Sequence, residues 1–139
     1  MGAYSDLLTS MVALVEAVTG LTRFAGPAAG DGIPAQALGG GFTCRFTGGS
    51  DTDKMRNRAN VRDEHDCEIS MWYLADHNDT LITEKVALDH VIDVRNALYP
   101  RGIAGVAATT FGWSIDTVGG GEVIKATIST TLEHTTAIS

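Results

Sequence analysis

The sequence predicts an α+β domain: a single, mainly antiparallel β-sheet with two helices packed on one face and a long projecting hairpin loop. Two segments space their apolar residues at steps of three and four, the helical period, and four others alternate apolar with polar residues, the strand period. Their order is helix, strand, strand, helix, strand, strand. Strands joined as hairpins, with the helices segregated from them, close into one sheet covered on one side. A chain of 139 residues suits one domain over positions 1–139.

In the first helix, expected over residues 5–24, Leu7, Leu8, Met11, Leu14, Val15, Val18 and Leu21 form the apolar stripe. Ser5 is the expected N-cap, and Asp6 suits the positive end of the helix dipole. Gly20 weakens the last turn, and Gly26-Pro27 stops the helix. Residues 26–41, GPAAGDGIPAQALGGG, carry no period and read as an extended connector and candidate contact arm.

Phe42, Cys44 and Phe46 alternate with Thr43, Arg45 and Thr47, which predicts a strand over 42–47 ended by Gly48-Gly49. Residues 48–66 then read as an extended charged loop or hairpin arm. Arg56, Arg58 and Arg62 lie there among Asp51, Asp53, Asp63 and Glu64, with only Met55, Ala59 and Val61 to bury. Arg56, Arg58, Arg62, Asp63 and Glu64 are the candidate partner-contact residues. The second strand is expected over 67–74, with Cys67, Ile69, Met71 and Tyr73 on one face and Glu68, Ser70, Trp72 and Leu74 on the other.

Asp76-His77-Asn78-Asp79 supplies a turn, and Asp79 or Thr80 can cap a second helix over 80–99, with Glu84 favouring its early turns. Its expected buried stripe is Leu88, Val91, Ile92, Val94, Leu98 and Tyr99, with Leu81 and Ile82 at the start. Pro100 ends it, and Arg101 lies near its negative end. A third strand over 106–116 places Ala107, Thr109, Phe111, Trp113 and Ile115 on one face. Gly119-Gly120-Gly121 reads as a hairpin turn. A fourth strand over 122–136 gathers Ile124, Ala126, Ile128, Thr130 and Leu132, with Thr and Ser residues on its wetter side.

The densest chemistry lies in Asp63-Glu64-His65-Asp66-Cys67-Glu68. On a strand only alternate residues share a face, so His65 and Cys67 project together, opposite Glu64, Asp66 and Glu68. Zinc needs three or four convergent ligands, typically at C-x-x-C or H-x-x-x-H spacing, and neither occurs. Cys44 can approach Cys67 across neighbouring strands, which still leaves the set one ligand short. His77, His90 and His134 are scattered. No G-x-S-x-G elbow is present, and Ser70 and Ser114 sit inside strands. Gly39-Gly40-Gly41 leads into a strand, with no G-K-[ST] after it, so no phosphate loop is expected. The sequence thus offers no catalytic, cofactor-binding or metal residues.

A net charge of −7 argues against a binder driven by phosphate contacts. It also weakens Trp72, Tyr73, Phe111 and Trp113 as a base-stacking platform. Two cysteines make no disulfide framework. The expectation is two thiols in a reducing compartment, with a Cys44–Cys67 disulfide as the alternative. No cationic region precedes the first apolar residues, and Asp6 and Glu16 interrupt them, so neither a signal peptide nor a membrane span is expected.

The layout resembles the small tail-terminator and tail-completion proteins of long-tailed bacteriophages and gene transfer agents. The likeness rests on the helix at 4–24, the strand at 42–47, the charged loop, the strand CEISMWYL at 67–74, the helix segment EKVALDHVI at 84–92 and two closing strands. It is a likeness of pattern over nearly the whole chain. The connector at 26–41 departs from the shorter link such proteins would have. The resemblance implies a virion protein at the head–tail junction, assembled in the bacterial host cytoplasm. It would form a ring, usually hexameric, that caps the tail tube and meets a head-tail connector or head-completion protein. DNA would only pass through the lumen, which an acidic chain suits. No cofactor or membrane is implied, and the family has no catalytic residues. The arm at 48–66 and the terminal strand are the expected contact elements. Competing readings are another neck or tail-tube component, a small metal-binding or enzymatic domain around His65 and Cys67, and a ligand-binding module around Trp72 and Trp113.

Overall fold

The computed structural model describes residues 3–23, 40–52, 60–76, 78–99, 106–118 and 123–137. In chain order the elements are α1 (Ala3–Thr19), β1 (Gly41–Thr52), β2 (Asn60–Leu74), α2 (Thr80–Leu98), β3 (Val106–Val118) and β4 (Val123–Ala137). The strands form one antiparallel sheet in the order β1-β2-β4-β3. Two hairpins therefore lie side by side with their second strands in the middle. The helices pack on each other and on the sheet, α1 against β1 and α2 mainly against β4 and β3. The α+β architecture expected from the sequence is the one observed.

One face of the sheet builds the core. Register aligns Phe42, Met71, Ala126 and Ile115 in one row and Cys44, Ile69, Ile128 and Trp113 in the next. Ile69, Met71, Ala126, Ile128 and Leu132 are fully buried there, against Met11 and Val15 of α1 and Val91 and Val94 of α2. Each large side chain so buried contributes roughly 1.5–3 kcal/mol. Thr130 lies in the same row as Phe46 and Cys67. Its hydroxyl donates to the Thr110 carbonyl, so this buried polar group is satisfied.

Several boundaries differ from expectation. Helix α1 ends at Thr19, because Gly20 adopts φ 73° and its N–H bonds the Glu16 carbonyl at 3.0 Å. A left-handed residue there terminates the helix at no steric cost to glycine. Ser5 lies inside α1, with its carbonyl accepting from Thr9 Oγ1, so it is not the cap. Residues 22–23 run beside the start of β1: Phe42 N–H donates to the Thr22 carbonyl, and Arg23 bridges Phe42 in parallel.

The largest correction concerns where the strands flanking the charged arm end. Both strands of the first hairpin run well into it, β1 to Thr52 and β2 from Asn60. Gly48-Gly49 does not end the strand. A bulge at Thr47 shifts the register, and β1 continues with Gly49 opposite His65 and Ser50 opposite Glu64. Along this stretch β2 is also paired to β4, from Asn60↔Ala137 to Asp66↔Thr131. Two-sided pairing holds Arg62 to Asp66 in the sheet, in the hairpin form of the loop or hairpin arm expected over 48–66.

Helix α2 is capped by Asp79, whose carboxylate accepts from Leu81 N–H at 3.0 Å. Asp76 Oδ1 accepts from the N–H groups of Asn78 and Asp79, while Thr83 Oγ1 accepts from Asp76 N–H. The turn expected at 76–79 is present at its described residues. The buried stripe of α2 is Thr83, Ala87, Val91, Val94 and Leu98. Leu81, Ile82, Leu88 and Tyr99, expected inside, are exposed. In β3 a bulge at Thr109 switches the alternation, so Val106 and Ala108 share a face with Phe111 and Ile115, and Ala107 does not. Residues 24–39, which hold most of the connector expected at 26–41, lie outside the described residues with Arg56, Arg58, His77, Pro100, Arg101 and the glycine turn expected at 119–121, whereas Gly41 already opens β1.

Candidate functional site

Alternation along β2 divides the crowded polar stretch as its spacing requires. Asp63, His65 and Cys67 project to the helix side, and Glu64, Asp66 and Glu68 to the opposite face. Asp63 is 4% exposed, and Glu64 is half-buried. Arg62 occupies a ladder position between Thr52 and Thr135. Of the five candidate contact residues, Asp63 is thus enclosed on the helix side of a central strand, where it offers little surface to a partner.

On the helix side His65 stacks on Phe46 with ring centroids 5.5 Å apart, and His134 lies 6.4 Å from it at a tilt. Burial holds the His65 imidazole below the usual range, opposed by the nearby Asp63 carboxylate. Next along the face, Cys44 Sγ and Cys67 Sγ stand 3.9 Å apart. The two are diagonal neighbours, since Cys44 pairs with Ile69 and Cys67 with Phe46. Both are thiols, with Cys67 buried and Cys44 partly open. Among the described residues no group of three or more His, Cys, Asp or Glu side chains is placed to hold a metal ion. His65 and Cys67 share a face without converging on one centre.

Tyr73 reaches from β2 to α2, with Oη 2.8 Å from His90 Nδ1. Burial raises the Tyr73 pKa and lowers that of His90, so the phenol keeps its proton beside an imidazole held toward its neutral form, and the hydroxyl also donates to Met71 Sδ at 3.5 Å. This pair fastens helix to sheet.

The face without helices is mostly polar, although Trp72 and Val123 lie buried on it. Arg45 meets Glu68 at 3.4 Å, Thr131 Oγ1 donates to Asp66 Oδ1 at 3.1 Å, and Lys125 Nζ lies 5.2 Å from the Trp72 ring centroid. The Arg45–Glu68 pair is exposed, and pairs of that kind contribute little to stability.

Among the described residues, the sheet is left open at its two edges. The terminal strand β4 is central, paired by β2 and β3, so its main chain has no edge to offer. The edges are β1 and β3. Strand β3 has thirteen residues, VAATTFGWSIDTV, with no Lys, Arg or Pro and a single Asp. Trp113, expected as core from its alternation, does face the helix side but remains 49% exposed because β3 is outermost. Edge strands usually carry charges, prolines or marked bulges that discourage further pairing. On β3 only the bulge at Thr109 and Asp116 serve that purpose. Leu81, Ile82, Val86 and Leu88 add exposed apolar surface on α2.

Comparison with known proteins adds little at this point. No protein-family model matches the sequence, and no curated protein matches it. Among solved structures the chain is similar to the type 4 fimbrial biogenesis protein PilO from Pseudomonas aeruginosa. The identity is 10%, over 97% of this chain and 73% of that one, with a TM-score of 0.38. A likeness so distant does not bear on what this chain does. No helix among the described residues is long and apolar enough to cross a membrane.

Proposed function

We propose that this chain is a structural subunit that assembles with copies of itself into a ring at the head–tail junction of a long-tailed phage or phage-like particle. The observation that carries the assembly reading is the lightly guarded edge of β3, thirteen residues long with Trp113 half-exposed beside it. The resemblance in element order supplies the setting. A ring needs heterologous contacts, in which one surface of a subunit meets a different surface of the next. The two edges of one sheet are such a pair: β3 of one copy can meet the β1 side of its neighbour, and main-chain hydrogen bonds continue the sheet between them. Arg56, Arg58, Arg62 and Glu64 remain candidate contacts for the next subunit or for the tail tube and head-completion proteins. DNA would cross the lumen without sequence-specific contacts, in keeping with the acidic chain.

The test is binding to purified tails that lack their terminal ring, followed by negative-stain imaging. Density at the tail end, lost in a Trp113→Lys variant that folds normally, is the expected result. A protein that never associates with tails at high concentration contradicts the assignment.

A further inference from the structure

We infer that Cys44 and Cys67 form a peroxide-responsive dithiol, oxidised within one chain to a disulfide that staples β1 to β2. The geometry carries this. The two sulfurs are in contact at 3.9 Å, on one face of adjacent antiparallel strands. Bond formation asks them to close to the roughly 2.05 Å of a disulfide. The pair is also asymmetric in access. Cys44 is partly open on an edge strand, whereas Cys67 is buried on a central one.

That asymmetry sets the order of events. Cys44 is the thiol an oxidant reaches first. Contact with the Cys67 thiol, and then the Arg23 guanidinium, favour its thiolate, although its own burial opposes them. The Cys67 thiol is held protonated by the same contact and by burial. The Cys44 thiolate attacks one oxygen of hydrogen peroxide, the O–O bond breaks, and hydroxide leaves to become water. Cys44 is then a sulfenic acid. The Cys67 sulfur attacks Cys44 Sγ, the S–O bond breaks, and the departing hydroxide takes the Cys67 proton as a second water. Two thiols lose two electrons and two protons, and one peroxide becomes two waters.

The link joins positions 23 residues apart across the paired strands β1 and β2. Closing a loop of that length restricts the unfolded chain enough to raise the melting temperature by on the order of 10 °C.

The experiment treats the purified full chain with hydrogen peroxide and follows intact mass, free thiols after unfolding, and thermal melting. Expected is a monomer lighter by two hydrogen atoms, with both thiols lost together, a raised melting temperature, and full reversal by dithiothreitol. A Cys67→Ser variant should lose that product and accumulate oxygen on Cys44. A Cys44→Ser variant should leave Cys67 unreacted while folded. Two outcomes overturn the inference. One is oxygen addition to Cys44 in the unaltered chain with Cys67 still a thiol, and the other is dimers linked through Cys44. None of these readouts requires ring assembly, so they stand apart from the proposed function.

Discussion

Gly49 shows how a single position decides between loop and strand. A Cβ placed on it would lie 2.8 Å from the Glu64 carbonyl oxygen and 3.2 Å from His65 Nδ1, whereas one on Gly48 would meet only Asp66 Oδ2 at 3.7 Å. Glycine inside a strand often marks a close approach of this kind. Gly49→Ala should therefore cost about 1–3 kcal/mol, as overpacking does, and Gly48→Ala should stay within about 0.5 kcal/mol. Urea denaturation midpoints of the two variants test the contrast, and equal effects would return this segment to a loop. In the core, Ile128→Ala should cost about 2–5 kcal/mol, since the side chain is fully buried between Ile69 and Trp113 in the sheet row. Histidines give a pH dependence. His65 and His90 both have pKa values depressed by burial below the ordinary 6.5. Asp63, then Asp66, oppose the shift at His65, and His134 adds to it, while Asp93 and Asp89 oppose it at His90, which faces Tyr73. Between the folded values and 6.5 the unfolded chain holds more protons, so stability rises with pH through that window. The contribution is full above about pH 6.5 and falls away below it. Denaturation at successive pH values should show that slope, and His90→Gln should flatten it.

At the scale of elements, the sequence made the two helices and the core halves of all four strands legible, because period and breaker residues are local signals. The fourth strand is the clearest case: Ile124, Ala126, Ile128 and Leu132 alternate in the sequence and are all fully buried. What was not legible depends on distant partners. The outer part of β2 is polar, and it is held as strand by pairing on both sides. The bulges at Thr47 and Thr109 shift the alternation within β1 and β3, and no local residue pattern announces them. In α2 several apolar residues compete for the core. The packing of α1 and the sheet selects the stripe through Ala87, Val91 and Val94 and leaves Leu81 and Leu88 outside. Helix α2 also carries a local test. Asp79→Ala removes the side chain that accepts from Leu81 N–H and should cost about 1 kcal/mol. Thermal melting followed by circular dichroism reads it, and an unchanged midpoint would mean that the cap contributes nothing.

For the whole molecule, strand order matters more than strand content. Placing β4 between β2 and β3 removes the terminal strand from any edge-to-edge contact and transfers that role to β1 and β3. The diagonal approach of Cys44 to Cys67 was readable from two alternating segments, because it needed only that they be neighbours. The exposure of Trp113 was not, because alternation reports a face and says nothing of whether a strand lies at the centre or the edge. The proposed function rests on that edge. Light scattering coupled to size-exclusion chromatography tests it most directly, with the chain and its Trp113→Lys variant run at matched high concentration. The account predicts a closed oligomer of several subunits for the chain and a folded monomer for the variant. A monomer for both, or an identical oligomer for both, would contradict it.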